Sequence, residues 1–199
     1  MLYNGCYLRG DKMPPKIRVE KEDIIKAAAE TVRENGISAL NARAVAARLG
    51  VSTQPIFSNY SNMEELKNDV LDYAYKVYCG YLERGMSSGE YPVYKASGMA
   101  YIQFAKEERE LFKLLYMRDR TGEKITQNDE EVKPIIDIIM NNLGISREEA
   151  TMFHIEMWVY VHGIASMIAT SYLEWDKETI SRMLTDLFIG LKERYTNNQ

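Results

Sequence analysis

Apolar residues recur along this chain at intervals of three and four, the period of a helix buried on one face. Ile24, Ile25, Ala28, Ala29 and Val32 form the first such stripe, and Asn35-Gly36 predicts its end in left-handed backbone. Asn41 is placed to cap a short helix carrying Val45, Ala46 and Leu49, which Gly50 stops. A third short helix follows Ser52, with Pro55 in its first turn, where a missing N–H costs nothing. Ser61-x-x-Glu64 reads as a capping box opening a long helix to about Gly85, with Leu66, Val70, Tyr73 and Val77 inward.

Beyond a loop at residues 85–89, Pro92 falls in the first turn of a helix carrying Met99, Ile102 and Phe104. A shorter helix with Leu111, Phe112, Leu114 and Leu115 follows, and the polar residues 118–129 read as a loop. Pro134-Ile135-Ile136 opens another helix, closed by Asn142-Leu143-Gly144. Ser146-x-x-Glu149 is a second capping box, starting a helix to about Tyr172, and Asp176 caps the last, whose apolar side holds Ile180, Met183, Leu184, Leu187, Phe188 and Leu191. Three short helices followed by about six longer ones, with 12 Gly and 5 Pro in 199 residues, predict an all-α chain.

Composition narrows the class further. Hydrophobic residues at 46% and charged residues at 27% suit a soluble globular protein. No run of about 18 uncharged apolar residues offers a membrane span. The start has no charged region followed by an apolar one, so export is not expected and the cytoplasm is. Two cysteines, Cys6 and Cys79, make no disulfide framework. Residues 1–15, with Met13 before Pro14-Pro15, read as a flexible tail or as sequence upstream of a start at Met13. The net charge of −4 is uneven: residues 13–62 hold seven basic against five acidic side chains, and residues 71–199 hold 15 against 20. That fits one small basic surface on an acidic protein.

Residues 45–60 carry the sharpest chemical signal. Ala46 is small enough for two helices to cross closely, Gly50 can take a left-handed turn, and Val51 and Ile56 can fill the angle between them. The second helix then exposes Thr53, Gln54, Pro55, Phe57, Ser58 and Asn59, polar or flat groups able to reach base edges and phosphates in a major groove. A plain helical hairpin with no nucleic-acid role satisfies the same spacing.

Residues 19–70 resemble the amino-terminal DNA-binding domain of the tetracycline-repressor (TetR) family of bacterial regulators. The resemblance rests on Ile24-Ile25, Ala28, Asn35-Gly36, Leu40-Asn41, Val45-Ala46, Leu49-Gly50-Val51, Ile56-Phe57, Tyr60 and Glu64-x-Leu66. It implies a three-helix head over residues 16–64 and a ligand-binding and dimerisation domain of about six helices over residues 65–199. It implies further that Arg43 touches a phosphate, that Thr53, Gln54 and Pro55 read bases, that Phe57 replaces the family's usual tyrosine, and that Asn59 and Tyr60 belong to the DNA surface. Two departures stand out. Phe57 has no hydroxyl to give a phosphate, leaving apolar contact with sugar or a thymine methyl, and Met63 stands where the family usually has lysine. Backbone N–H groups at the start of the fourth helix remain as a phosphate site, and Lys16, Arg18 and Lys67 as further cations.

The carboxy-terminal half is rich in aromatics and methionines. Trp158-x-x-x-His162-Gly163 resembles a motif in the ligand domain of one TetR subgroup, and His154, Trp158 and His162 share a helix face. One reading makes them a pocket wall, with Phe104, Tyr116, Phe153 and Trp158 around an effector and His162 as its polar handle. The other has Trp158 in the core, His162 as a satisfied structural histidine, and Gly163 admitting a neighbouring helix. Glu107-Glu108 and Asp129-Glu130-Glu131 read as solvated helix starts. No paired acid and base, metal-ligand spacing or glycine-rich phosphate loop appears, so neither enzyme activity, metal nor cofactor is expected. The expected protein is a homodimeric repressor, joined through the helices at 147–172 and 177–195, binding a palindromic operator as double-stranded DNA and released by a small-molecule effector. The alternative is an all-α small-molecule-binding protein that has lost its DNA.

Overall fold

The computed structural model describes residues 19–121 and 129–197; the expected tail, Cys6, Lys16, Arg18 and residues 122–128 of the expected polar loop lie outside the described residues, as do the side chains of Asp129, Glu130 and Glu131. Among the described residues there are nine α-helices and no strand. The head comprises α1 (Lys21–Asn35), α2 (Ala42–Leu49) and α3 (Gln54–Asn59), and α4 (Met63–Ser87) leads out of it. The body comprises α5 (Val93–Glu107), α6 (Arg109–Tyr116), α7 (Asp129–Leu143), α8 (Arg147–Ala169) and α9 (Lys177–Thr196). No helix among the described residues is long and apolar enough to cross a membrane.

Four helices, α2, α4, α8 and α9, start on a side-chain cap. Asn41 accepts the N–H groups of Arg43 and Ala44 at 3.1 and 3.0 Å. Ser146 and Glu149 close their box reciprocally, and Asp176 accepts the N–H of Thr179 at 2.7 Å. The cap of α4 differs from expectation: Asn62, not Ser61, accepts the first free N–H groups, those of Glu64 and Glu65, at 2.9 and 3.0 Å. Glu65 reaches back past Asn62 to the N–H of Ser61 at 2.8 Å, so the cap sits one residue later than Ser61-x-x-Glu64 suggests and is not a reciprocal box.

Three other boundaries move. Pro92 precedes α5 as its cap rather than entering its first turn. Pro134 lies inside α7, which starts at Asp129, so the proline sits within a helix already begun rather than opening it. Gly36 does have positive φ (76°), but with ψ at 170° it is not left-handed helical, and a short 3-10 turn, Ile37–Ala39, follows. A Cβ there would also lie 3.0 Å from a carboxylate oxygen of Glu110 on α6, so that side chain would have to give way slightly.

One apolar core runs through head and body alike. Ile24, Ala28 and Val32 of α1, Val45 and Ala46 of α2 and Ile56 of α3 close on Leu66, Val70 and Ala74 of α4. The same cluster continues without a break through Phe104, Leu111, Phe112 and Leu114 to Ile164 and Ile168 of α8 and Leu184 of α9. A second, smaller cluster gathers Ile136 and Ile139 of α7, Phe153 and Met157 of α8, and Phe188 of α9.

Candidate nucleic-acid interface and aromatic cluster

The turn between α2 and α3 has the geometry that a helix-turn-helix needs. Gly50 is left-handed (φ 67°, ψ 29°), its N–H meeting Ala47 O at 3.2 Å while the N–H of Val51 meets Ala46 O at 3.0 Å. Ala46 and Ile56 are buried at the crossing. Bracing of this kind leaves the opposite side of α3 in water: Gln54, Phe57, Ser58 and Asn59 are exposed, and Thr53 and Pro55 half-buried. Phe57 is 54% exposed, unusual for a ring of its size. Ser58 donates to Gln54 O at 2.9 Å and Asn59 donates its amide to Pro55 O at 2.8 Å. Arg43, in the first turn of α2, is also exposed.

Tyr60 is a correction to the expected DNA surface. Its side chain is only 3% exposed, and its hydroxyl donates to Asp69 of α4 at 2.8 Å. Lys21 of α1 lies 2.8 Å from the same carboxylate and 5.1 Å from the centre of the Tyr60 ring. Burial and the bond to Asp69 push the phenol upward. Burial also works against the Asp69 carboxylate, yet the bonds from Lys21 and Tyr60 outweigh it and hold that group below its ordinary 3.8. Tyr60 therefore pins the end of α3 to α1 and α4 rather than facing solvent.

The start of α4 is a second correction. The N–H groups of Glu64, Glu65 and Ser61 are already taken by Asn62 and Glu65, and Glu64 and Glu65 place two negative charges in the first turn, so fewer donors and a less favourable field are left for a phosphate than a bare helix start offers. Counted over residues 19–70, the head holds eight acidic and six basic side chains. Four of the six cations are paired: Lys21 with Asp69, Arg33 with Glu30 and Glu108, Arg48 with Glu34, and Lys67 with Glu64. Lys26 and Arg43 make no ion pair among the described residues.

Glu108, expected as a solvated helix start, instead joins head to body. At the corner between α5 and α6 it accepts two bonds from Arg33 of α1, at 2.7 and 3.0 Å, with both side chains largely withdrawn from water. Glu107 accepts the hydroxyl of Tyr81 at 2.6 Å, and that bond, with Gln103, holds its carboxyl below the ordinary range. These pairings link residues 26 and 75 positions apart, a distance that helical periodicity does not reach.

The expected pocket residues separate. Phe104, Tyr116 and His162 converge with Tyr78, Tyr101 and Phe112 in one cluster of rings 5.2–6.3 Å apart. Phe104 and Phe112 are fully buried there. The Tyr101 oxygen lies 2.8 Å from Nδ1 of His162, whose Nε2 is 3.3 Å from the Ser166 hydroxyl. Burial lowers His162 from its ordinary 6.5, keeping the ring neutral and able to accept. Ser166, four residues on, was recognisable by that spacing; Tyr78 and Tyr101, on other helices, gave no such signal.

Phe153 belongs elsewhere. It lies in the second core cluster against Tyr94, Phe188 and Tyr195, where His154 faces the Tyr94 oxygen at 3.2 Å. Trp158 is neither core nor enclosed wall: it is 45% exposed and stacked on His162 at 5.2 Å. A Cβ built on Gly163 would meet nothing within 4 Å, so that glycine serves no close approach within this chain. A cleft of about 430 Å³ does open beside the head–body corner, but charged groups line it, Arg33, Glu34, Lys106 and Glu110 among them. Among the described residues no three His, Cys, Asp or Glu side chains converge to hold a metal ion.

Comparison with known proteins matches both halves separately. Residues 24–70 fit the family described as bacterial regulatory proteins, tetR family, and residues 94–188 the tetracyclin repressor-like C-terminal domain. No curated protein matches the sequence. Among solved structures, a TetR-like transcriptional regulator from Rhodococcus sp. RHA1 shares 16% identity over 92% of this chain and 97% of its own, with a TM-score of 0.61. A single-substitution variant of TetR from Acinetobacter baumannii AYE, in complex with minocycline, shares 18% over 89% and 98%, with a TM-score of 0.61. A TetR family member from Streptomyces coelicolor A3 shares 17% over 83% and 96%, with a TM-score of 0.57.

Proposed function

This chain belongs to the TetR family of bacterial regulatory proteins, and from that premise we propose that it is a cytoplasmic, homodimeric repressor that binds a palindromic operator and releases it on taking up a small-molecule effector. The observation that carries the reading is α3, braced on its inner side by Ile56 and the Gly50 turn and presenting Gln54, Phe57 and Ser58 outward. Two such helices in a symmetric dimer enter successive major grooves when they stand about 34–36 Å apart. Arg43 supplies a backbone contact.

The dimer forms through α8 and α9. Met152, Ile155 and Val159 are exposed along one side of α8, Gly163 and Met167 continue it, and Ile189 with Gly190 lies on the open side of α9. An apolar stripe of this length on a water-facing helix supports a covered face in the assembled protein. The effector lodges against the rings around Tyr101, Tyr116 and His162, and the Arg33–Glu108 pair carries a shift of α6 to α1 and so to the head. The effector can shift the head only by its differential affinity for the two arrangements.

Band-shift titration with DNA upstream of the protein's own gene, at low and at moderate salt, tests the reading. Retention at low salt supports it, and failure at both salts sinks it. One specific observation favours a second reading, a ligand-binding protein without operator affinity: the head cations are mostly paired and two acids, Glu64 and Glu65, occupy the first turn of α4. That reading predicts saturable ligand binding with DNA left free at every ionic strength.

A further inference from the structure

The groups that α3 can offer a duplex are few and of one kind. Its six residues, Gln54–Asn59, include no cation and no acid. An arginine or lysine to pair with guanine O6 and N7 is therefore absent from the reading helix. Ser58 spends its one donor on Gln54 O, and Asn59 spends one on Pro55 O. Gln54 keeps its amide in water, with no hydrogen bond among the described residues, and the ring of Phe57 stands beside it with Thr53 one turn back. Elsewhere in the head four of the six cations are paired with neighbouring acids, leaving Lys26 and Arg43, so phosphate attraction does less than usual to hold the duplex.

The floor of the major groove has a single apolar feature, the 5-methyl group of thymine, and the neutral amide of glutamine matches adenine N6 and N7. Resting on the regulator reading above, we propose that Phe57 selects the operator by covering a thymine methyl, next to an adenine read by Gln54, so that A·T pairs occupy the centre of each half-site. The ring works by exclusion as well as attraction. Set against cytosine, which has no methyl, it leaves the exocyclic amine of that base facing carbon.

The full-length protein is used to select binders from a random duplex library at low salt. The recovered site is then remade with deoxyuridine for thymine in one or both half-sites, which removes the methyl and changes no Watson–Crick edge. Uridine in one half-site weakens binding about fourfold, the worth of one methyl returned to water, and in both about fifteenfold. Phe57→Ala, at a position too exposed to unsettle the fold, binds more weakly and loses the thymine–uridine difference; Phe57→Leu keeps part of it. Equal affinity for thymine and uridine sites overturns the proposal, as does a Phe57→Ala variant with the same uridine penalty. A library that yields no enriched sequence sinks the regulator reading along with it, whereas enriched sites indifferent to the methyl sink this proposal alone.

Discussion

Phe57 and Tyr60 stand three positions apart, yet one is in water and the other sealed between helices. The difference is the backbone between them: Phe57 lies within α3, whereas Tyr60 is the residue after it, where the chain turns extended (φ −134°, ψ 130°) and the ring is buried with its hydroxyl on Asp69. Tyr60→Phe keeps the ring and deletes that bond, so it lowers stability by about 1 kcal/mol, read as a drop of roughly 2–4 °C in the thermal midpoint. Its operator affinity, measured at a temperature where the fold is intact, stays near the starting value. Arg43 acts in the opposite way. Arg43→Ala leaves the melting curve where it was but reduces the slope of log affinity against log salt by about one for each subunit, equally for all sequences.

At the level of elements, α1 is the hub. It packs on α2 and α4 within the head, and its far end meets the α5–α6 corner through Arg33 and Glu108. Arg33→Met strands a largely buried carboxylate and costs about 2 kcal/mol, below the range for fully buried pairs because some water reaches this one. Urea unfolding measures it. Adding Glu108→Gln to that variant recovers more than half, since the stranded charge goes with it. No periodicity could have announced this pair. Helix stripes and caps were legible because their causes lie within four residues: Ile24, Ala28 and Val32 fall on one face, and Asn41, Ser146 and Asp176 cap by their own chemistry. The Ser61 and Asn62 choice was not, because both are good caps and tertiary placement decides between them. The outward residues of α3 could be read from the turn, whereas Phe153, Trp158 and Tyr60 were misplaced because composition does not say which side of a helix meets a neighbour.

For the whole molecule, two histidines and one bare face set the conditions of use. Burial holds His154 and His162 below 6.5, so the folded chain binds fewer protons there than the unfolded one. Stability from these sites is complete above that pH and declines as acid carries the solution down through it. Melting curves from pH 7.5 to 5.5 reveal the decline, and His154→Gln with His162→Gln flattens it. The stripe on α8 makes a second demand. Val159→Glu puts a charge in its middle and yields a monomer by light scattering at micromolar concentration, with the helical content unchanged.

The unbroken run of apolar contacts from Ile24 to Leu184 limits how this protein can be re-engineered. A graft that lifts residues 16–64 onto a foreign partner tears Leu66, Val70 and Ala74 from beneath α1, and both fragments then show oily wounds to the solvent. Any working hybrid has to take its seam farther along α4 and bring a host corner able to answer Arg33.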